Sequence, residues 1–274
     1  SRHDQRLFRG NKIHQGRNII FGGSLGDTIV AGDSDTPDII VGDNGLARFN
    51  FGTLVEIRTT DFAYGGNDTI TAGLGPDVVL GGAGDDDIYA DVDDYADAAR
   101  RCDESNDIIL GDDGYALFEA ISPPEPGRII SISTQAPLLG GEDFIDAGNG
   151  SDIVFGGSQN DYINISRNGD ILGGDDGQDV IMGDNGFATF DTAYDDYRLK
   201  VIESTDFDLG GSDQIWTGNG SDVVIAGLGD DTVLSHQLNE QPVSCGPVGD
   251  DAARDIVIGD SGRAVFNPES PRVL

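Results

Sequence analysis

Aspartates recur at a fixed spacing of nine residues through much of the chain. In "AYGGNDTITAGLGPDVVLGGAGDDDIY", residues 63–89, a Gly-x-Asp-x-Ile/Val pattern repeats three times. Two further triplets begin at positions 138 and 208. Carboxylates set beside glycine-rich backbone turns offer the oxygen ligands that a hard cation such as calcium prefers. The nine aspartates in this register are therefore candidate ligands: Asp68, Asp77, Asp86, Asp143, Asp152, Asp161, Asp213, Asp222 and Asp231.

A longer repeat contains further aspartates. The segment "DIIVGDNGLARF" at residues 38–49 has close copies that begin at positions 107, 179 and 255, at intervals of 69, 72 and 76 residues. The first aspartate of each copy precedes an apolar triplet, as in the nines: Asp38, Asp107, Asp179 and Asp255. The second lies in a GDxG turn, for which a further calcium site and a capping turn are both open: Asp43, Asp112, Asp184 and Asp260. Asp27, in the divergent copy "GGSLGDTIV", completes the candidate ligands.

The spacing of nine also predicts the elements that hold these carboxylates. A β-branched triplet such as "TIT" or "VVL" favours a short strand with one side chain turned inward. The six residues that follow, such as "GGAGDD", favour a turn because glycine allows positive φ. Two nines would form one coil, and coils of this size complete a core only by stacking. We therefore predict an all-β protein, a parallel β-roll or β-solenoid with calcium-binding turns.

The segments between the nines predict β-hairpins. After each GDxG turn, "x-A-x-F" is followed by an alternating segment, "LVEIRTT", "RIISIST" or "LKVIEST". Such pairs of alternating strands are typical of hairpins, which would interrupt the solenoid about every 72 residues. The chain then divides into a basic N-terminal cap (1–18), a first partial long repeat (19–62), long repeats at 63–137 and 138–207, and one truncated within its hairpin (208–274). We expect about four coils in each long repeat.

Charge limits the partners of the chain. It has 50 Asp and Glu residues against 16 Lys and Arg, a formal net charge of −34 at pH 7. Nucleic acid is excluded as a partner for most of the surface, because phosphate binding needs basic residues. No apolar run reaches the length of a transmembrane segment.

Cys102 and Cys245 are too few for a disulfide scaffold. Four coils per long repeat would place them about 40 Å apart, so we expect free thiols, with an intermolecular bridge as the alternative.

The two ends of the chain differ from the repeats. Residues 1–18 have five Lys and Arg against Asp4, a net charge of +4. A cap that offsets neighbouring carboxylates and a plug that docks on the acidic end of another copy are both open. At the other end, "AVFNPESPRVL" stops where the hairpin would continue. We expect either a fragment of a longer protein or a subunit completed by its neighbour, with copies joined head-to-tail.

The sequence offers no convincing catalytic site. "GGSLG" matches the G-x-S-x-G nucleophile pattern around Ser24, but it lies in a divergent repeat turn instead of between a strand and a helix. Paired acids are frequent, and in stacked turns we interpret them as metal ligands instead of acid–base pairs. We therefore predict that the chain is not an enzyme, with no catalytic or organic-cofactor residues.

The nines match G-G-x-G-x-D-x-U-x and resemble the RTX (repeats-in-toxin), hemolysin-type calcium-binding repeat. The resemblance implies that calcium ions lie between turns on the same side of a parallel β-roll, held by the sixth-position aspartates and turn carbonyls. The long period resembles large secreted bacterial surface proteins and adhesins. Such proteins usually leave the cell by type I secretion, as unfolded polyanions that fold in extracellular calcium.

These features together predict an extracellular calcium-binding structural protein, a segment of an adhesin, a surface layer or a filament. It would bind multiple calcium ions and fold on binding them. Contact with a cell surface or a polysaccharide is the further partner that this role implies. The alternative is an RTX repeat module of a larger secreted enzyme or toxin.

Overall fold

The protein is described from a computed structural model, which describes residues 16–32, 35–90, 105–120, 128–164, 177–192, 198–234 and 254–266. These residues form 22 β-strands in three sheets. Within these ranges, no helix is long and apolar enough to cross a membrane. The prediction of an all-β fold built from parallel strands is confirmed.

The central sheet has eight parallel strands of three residues each. Their middle residues stack in register, so that Val154 pairs with Ile109 on one side and Ile181 on the other. All eight come from apolar triplets such as "VVL" and "IIL". In sheet order the strands are β1 (Ile19–Phe21), β3 (Ile39–Val41), β7 (Val78–Leu80), β9 (Ile108–Leu110), β13 (Ile153–Phe155), β15 (Val180–Met182), β19 (Val223–Ile225) and β21 (Ile256–Ile258).

The outer sheet has seven parallel strands, and the chain alternates between it and the central sheet. Each of its strands has an Ile or Val beside at least one polar residue or Tyr, as in "TIT" and "QIW". The central and outer strands therefore form the two faces of each coil, as predicted from the spacing of nine. In sheet order they are β2 (Thr28–Val30), β6 (Thr69–Thr71), β8 (Asp87–Tyr89), β12 (Phe144–Asp146), β14 (Tyr162–Ile163), β18 (Gln214–Trp216) and β20 (Thr232–Leu234).

The hairpins form a third, antiparallel sheet of seven strands, here called the hairpin sheet. Each hairpin leaves the solenoid after a central strand and returns to an outer strand. Successive hairpins pair with each other, as Tyr115 does with Arg58, so the hairpins are not isolated projections. In chain order the strands are β4 (Gly45–Asn50), β5 (Thr53–Thr59), β10 (Gly114–Phe118), β11 (Ile129–Thr134), β16 (Gly186–Asp191), β17 (Arg198–Ser204) and β22 (Arg263–Val265).

The hairpin sheet packs on the central sheet and makes the fold three-layered. One apolar cluster joins the flanking residues of central strands, such as Leu80 and Phe155, to hairpin residues such as Ile57 and Ile132. A second cluster joins the middle residues of the central and outer strands, such as Val154 and Ile145. The expectation of a single inward side chain per strand is therefore wrong for the central sheet, which is buried on both faces. Such strands are continuous apolar runs.

Each long repeat adds two strands to the central sheet and two to the outer sheet. The expectation of four coils per long repeat is wrong, because half of each period forms the hairpin and an insertion instead of further coils. The insertions connect outer strands to central strands. The two cysteines, the basic residues 1–15 and residues 267–274 lie outside the described residues.

Candidate metal centre

The predicted aspartates stack into two vertical columns, one at each turn side of the solenoid. In the outer-sheet column, each aspartate lies just before an outer strand, and its backbone N–H donates to Oδ1 of the aspartate in the next layer. These hydrogen bonds are 2.7–3.0 Å long. The column consists of Asp27, Asp68, Asp86, Asp143, Asp161, Asp213 and Asp231.

The central-sheet column repeats the same arrangement before the central strands. Its N–H to Oδ1 bonds begin at Asn18, which donates to Asp38, and continue to Asp255. The members are Asn18, Asp38, Asp77, Asp107, Asp152, Asp179, Asp222 and Asp255. One oxygen of each carboxylate thus holds two layers together. Successive nines place their aspartates in the two columns in turn, because two nines form one coil.

The second carboxylate oxygen of the outer-sheet column has a different environment. Among the described residues, Oδ2 is buried and accepts no hydrogen bond in Asp68, Asp86, Asp143, Asp161, Asp213 and Asp231. Each of the first five points at the glycine that follows a central strand. A Cβ built at Gly81, for example, would collide with both Asp86 Oδ2 and the carbonyl oxygen of Gly111. Glycine therefore leaves a space that a carboxylate oxygen and a turn carbonyl line together.

This donor set fits calcium. Among the described residues, no three His, Cys, Asp or Glu side chains form a metal-binding cluster, so a site here needs backbone carbonyls as well as carboxylates. Buried carboxylate oxygens normally have a partner, and calcium accepts six to eight oxygens with flexible geometry. The Oδ2 atoms without a hydrogen bond and the adjacent carbonyl oxygens supply ligand atoms of this kind at several layers.

The electrostatics of the column also favour a cation. Burial raises the pKa of Asp68 to about 7 and that of Asp213 to about 8. Burial also raises the pKa of Asp143 well above its usual value, and the carboxylates of Asp112 and Asp86 raise it further. Burial does the same for Asp161, with added repulsion from Asp143. A divalent ion between the layers would remove this repulsion.

The GDxG aspartates form hydrogen bonds across the turns. Asp112 Oδ1 accepts from Gly141 N–H at 2.9 Å, and its Oδ2 accepts from Ser158 N–H at 2.6 Å. Asp184 accepts from Gly211 and Leu228 in the same way. The bonds from Gly141 and Gly211 join the two halves of the turn that a hairpin separates. The bonds from Ser158 and Leu228 join the GDxG turn to the turn after the next central strand. The structure thus places both carboxylates between layers, with their oxygens already bonded to backbone.

The ends of the columns are more open than their middles. Asp27, Asp231 and Asp255 are half-buried and Asp260 is exposed, whereas the other fourteen candidate aspartates are buried. At the N-terminal end, burial raises the pKa of Asp38, while hydrogen bonds from Asn18 and the charge of Arg17 lower it. The charge of Arg17 thus favours the ionised form of the neighbouring Asp38 carboxylate.

Three hydroxyl residues that the sequence did not single out tie each hairpin to the next GDxG turn. Thr59, Thr134 and Ser204 end successive hairpins, and each Oγ accepts the N–H of the glycine after the next GDx segment at 3.0 Å. The signal was present as the hydroxyl residue near the end of "RTT", "SIST" and "IEST".

Ser24, the centre of the G-x-S-x-G match, lies in an exposed turn. Its Oγ accepts a hydrogen bond from Asn44 Nδ2 at 3.2 Å. The histidines His3, His14 and His236 lie outside the described residues. The contact of Ser24 is therefore with the amide of a neighbouring turn.

Comparison with known proteins supports the repeat. A family model for the RTX calcium-binding nonapeptide repeat, with four copies, matches residues 62–95, 139–164 and 207–233. The matched segments cover the three triplets of nines except for Leu138 and Leu234. No curated protein and no solved structure matches the chain.

Proposed function

The chain carries RTX calcium-binding nonapeptide repeats, and on this premise we propose that it is a secreted structural protein that folds when calcium fills its aspartate columns. The repeats bind calcium, and proteins with them are typically exported by type I secretion. The role proposed is that of a stiff segment of an adhesin, a surface layer or an extracellular filament. It is a non-enzymatic role.

The single observation that supports this proposal best is the column of buried Oδ2 atoms that accept no hydrogen bond. In water each carboxylate is solvated, so burying it without a partner costs several kcal/mol. The outer-sheet column repeats this cost at six layers. A fold that stacks such groups needs a cation to offset the cost, and calcium supplies the neutralising charge when bound.

The net charge of the whole chain also supports folding on calcium binding. With a net charge of −34, the calcium-free chain repels itself when compact. If only the folded chain binds the metal, the free energy of binding adds to the free energy of folding. The chain would therefore stay extended at the low calcium concentration inside a cell and fold outside it.

The test is far-UV circular dichroism of the whole chain during a calcium titration, after calcium has been removed by chelation. We expect a cooperative change from coil to β-structure between micromolar and millimolar calcium, and none with magnesium, which demands a smaller and more rigid octahedral site. A chain that is already β-structured in excess chelator at neutral pH contradicts the proposal.

End-to-end contact between copies is the second part of the proposed role. Within the described residues, the sheets end in edge strands with exposed apolar side chains. At one end Ile19 is 44 % and Phe21 40 % exposed, and at the other Val257 is 46 % and Val265 63 % exposed. Edge strands with unpaired backbone groups are templates for pairing with another chain. Apolar residues at both ends favour a second copy of this chain as the partner.

The alternation of central strands with and without a following hairpin also supports end-to-end contact between copies. A hairpin follows the central strands β3, β9 and β15, and the hairpin-sheet strand β22 follows β21, whereas β1 leads directly to β2. Pairing of β21 with β1 of a second copy keeps this alternation across the junction. At this junction one strand would be missing between β20 and β2 of the outer sheets, and one between β22 and β4 of the hairpin sheets. The adjoining segments, 1–15 and 267–274, lie outside the described residues.

Light scattering during the same titration tests this part. We expect scattering to rise as the chain folds, and Val257→Asp on the edge strand β21 to suppress the rise. Ile130→Asp, which adds the same charge on the side of the molecule at a residue 38 % exposed, should leave the rise unchanged. Flat scattering with full folding would contradict end-to-end contact and favour the module of a larger secreted protein.

A further inference from the structure

The hairpin sheet packs one face on the central sheet, and its other face reaches solvent. Side chains alternate between the two faces along each strand, and Ala116 and Ala188 are among those that pack inward. Their outward neighbours form two rows that cross all seven strands, here together called the outward face. From β4 to β22, the first row consists of Leu46, Arg58, Tyr115, Ser133, Phe187, Glu203 and Arg263. The second row consists of Arg48, Glu56, Leu117, Ser131, Thr189, Val201 and Val265. All of these residues are half-buried or exposed.

Large side chains flank small hydroxyl residues in the middle of the outward face. Ser133 lies between Tyr115 and Phe187 in the first row, and Ser131 follows the same strand in the second row. Because neighbouring strands are about 4.8 Å apart, the strands that carry the two rings are about 10 Å apart. Aromatic side chains with a few polar groups between them are typical of sites that bind organic ligands.

A groove adjoins these residues on the side of the hairpin tips. It has a volume of about 520 Å³, and its lining includes Arg48, Val55, Leu117 and Ile130. Leu117 pairs with Ser131, so the groove and the hydroxyl residues are neighbours on the same sheet. The outward face therefore offers a continuous surface for a ligand that extends beyond a single pocket.

The charge of the hairpin sheet is opposite to that of the whole chain. Its seven strands contain five Lys and Arg against three Asp and Glu, whereas the chain has a net charge of −34. Arg48 and Arg58 share one carboxylate, that of Glu56, at 2.9 and 3.6 Å, and their side chains are 65 % and 45 % exposed. A basic face on an acidic molecule favours an anionic ligand, because the potentials are complementary there.

The outward face repeats along the solenoid. Each hairpin adds two strands to the sheet, so the residue after the turn glycine recurs about every 10 Å along it. At this position the successive long repeats have Leu46, Tyr115, Phe187 and Arg263. A surface that repeats along a line matches a ligand that repeats along a line. This favours a linear polymer over a small molecule or a globular protein.

We propose that the outward face binds a linear acidic polysaccharide, which lies across the strands of the hairpin sheet. Sugar rings pack their C–H faces on Tyr115 and Phe187, and sugar hydroxyls form hydrogen bonds with Ser131 and Ser133. Carboxylates of the polymer pair with exposed guanidinium groups such as that of Arg58. The proposal deepens the proposed function, because it gives the extracellular role a ligand and a surface, and it rests on that function for the folding of the chain.

Isothermal titration calorimetry of the whole chain at saturating calcium tests the proposal with two probes, hyaluronate and a short oligogalacturonate. Both are linear and carry carboxylates, but on different sugars. Methyl-esterified hyaluronate is the neutral control. We expect both acidic probes to bind, and the ester to bind at least about tenfold more weakly, because it cannot pair with the guanidinium groups.

Removal of the two rings tests the site itself. Tyr115→Ala combined with Phe187→Ala should weaken the binding of both acidic probes by at least about tenfold. The matched control is Tyr64→Ala with Phe207→Ala, the same changes at residues that are 68 % and 58 % exposed outside the hairpin sheet. The control should leave the affinity unchanged.

A second pair of variants tests the charge. Arg58→Gln should weaken binding, whereas Arg254→Gln, which removes the same charge at an exposed residue outside the hairpin sheet, should not. Far-UV circular dichroism checks that every variant is folded. If the variant without the two rings does not fold, the comparison of Arg58→Gln with Arg254→Gln decides the site.

Loss of affinity in the outward-face variants alone supports the proposal. It is overturned if neither acidic probe binds to the folded chain, if the ester binds as tightly as hyaluronate, or if the control variants lose as much affinity. It is also overturned if, without any probe, loss of the two rings shifts the chain to smaller species in sedimentation velocity, because a second copy then occupies the face. Folding without calcium contradicts the proposed function alone, since binding is read on the folded chain in either case.

Discussion

The two oxygens of a column aspartate have different roles. In Asp143, Oδ1 accepts the N–H of Asp86 and links two layers, whereas Oδ2 lies beside the turn glycine Gly111 without a hydrogen bond. An asparagine would retain the oxygen that links the layers and lose the negative charge. Oδ1 thus has the structural role of the carboxylate, and Oδ2 its role in binding a cation.

Asp143→Asn should therefore change stability in opposite directions with and without calcium. Without calcium the Asp143 carboxyl must take up a proton to be buried, because burial raises its pKa. The neutral asparagine avoids this cost, so the folded state gains stability. With calcium it removes a charged ligand, and the affinity of that layer should fall on the order of tenfold. The measurements are the calcium midpoint by circular dichroism and the urea midpoint of the calcium-free chain at pH 5.

Asp208→Asn is the matched control, because it removes the same charge from an exposed turn. It should shift neither midpoint by more than a small amount, since exposed charges are well solvated. Equal effects of the two changes would show that the column carboxylates act only through net charge.

At the scale of elements, the hairpin sheet stabilises the solenoid by covering the central sheet. Strand β11 alternates between the two environments. Ile132 is fully buried in the apolar cluster with the central strands, whereas Ile130 on the same strand is 38 % exposed. The hairpins are therefore part of the core, and removing one would expose apolar surface on both sheets.

Ile132→Ala should destabilise the calcium-loaded protein by about 2–5 kcal/mol, because it leaves a cavity between two sheets. Ile130→Ala, the same chemical change two residues away, should cost less than about 1 kcal/mol. Urea unfolding at saturating calcium measures both. Similar costs for the two variants would contradict packing of the hairpin sheet on the central sheet.

At the scale of the whole molecule, stacking concentrates charge as it buries apolar surface. Every added layer brings another carboxylate into line with those above and below it. The pKa of Asp112 rises to about 8, first through burial and then through the charge of Asp113, and that of Asp184 rises to about 7 through burial. The calcium-free fold is thus favoured by protons as the loaded fold is by calcium.

Stability of the calcium-free chain should therefore increase as the pH falls. Unfolded aspartates titrate near pH 3.9, whereas buried ones such as Asp68 and Asp213 titrate near 7 and 8. Because the folded pKa is the higher one, stabilisation by protons is complete below about pH 4 and is lost as the pH rises to about 8. Circular dichroism of dialysed, calcium-free protein between pH 4 and 8 measures this.

The same linkage weakens calcium binding in acid, because protons must leave the carboxylates before the ion binds. The calcium midpoint should rise as the pH is lowered from 8 to 5. A calcium-free chain that loses β-structure on acidification would contradict the assignment of buried, mutually repelling carboxylates.

The coil and its turn aspartates can be predicted from the sequence alone. The spacing of nine shows where each short strand lies and which aspartate lies in each turn, because both are local consequences of strand and turn geometry. It did not show that the central strands are buried on both faces, because that depends on the hairpin sheet. The prediction treated "VVL" and "TIT" alike, although the central triplets are wholly apolar and the polar residues of "TIT" mark an outer strand. These features repeat, so one correct coil predicts the rest.

The packing of the hairpins and the alignment of the turns depend on contacts between distant parts of the chain. Pairing of Tyr115 with Arg58 joins residues 57 positions apart, and Asp86 N–H reaches Asp143 Oδ1, also 57 positions away, only because coils stack. Local propensity does not encode such contacts, as they depend on how many coils separate the elements. We predicted four coils in each long repeat, whereas the described residues form two. The number of coils decides which turns become neighbours.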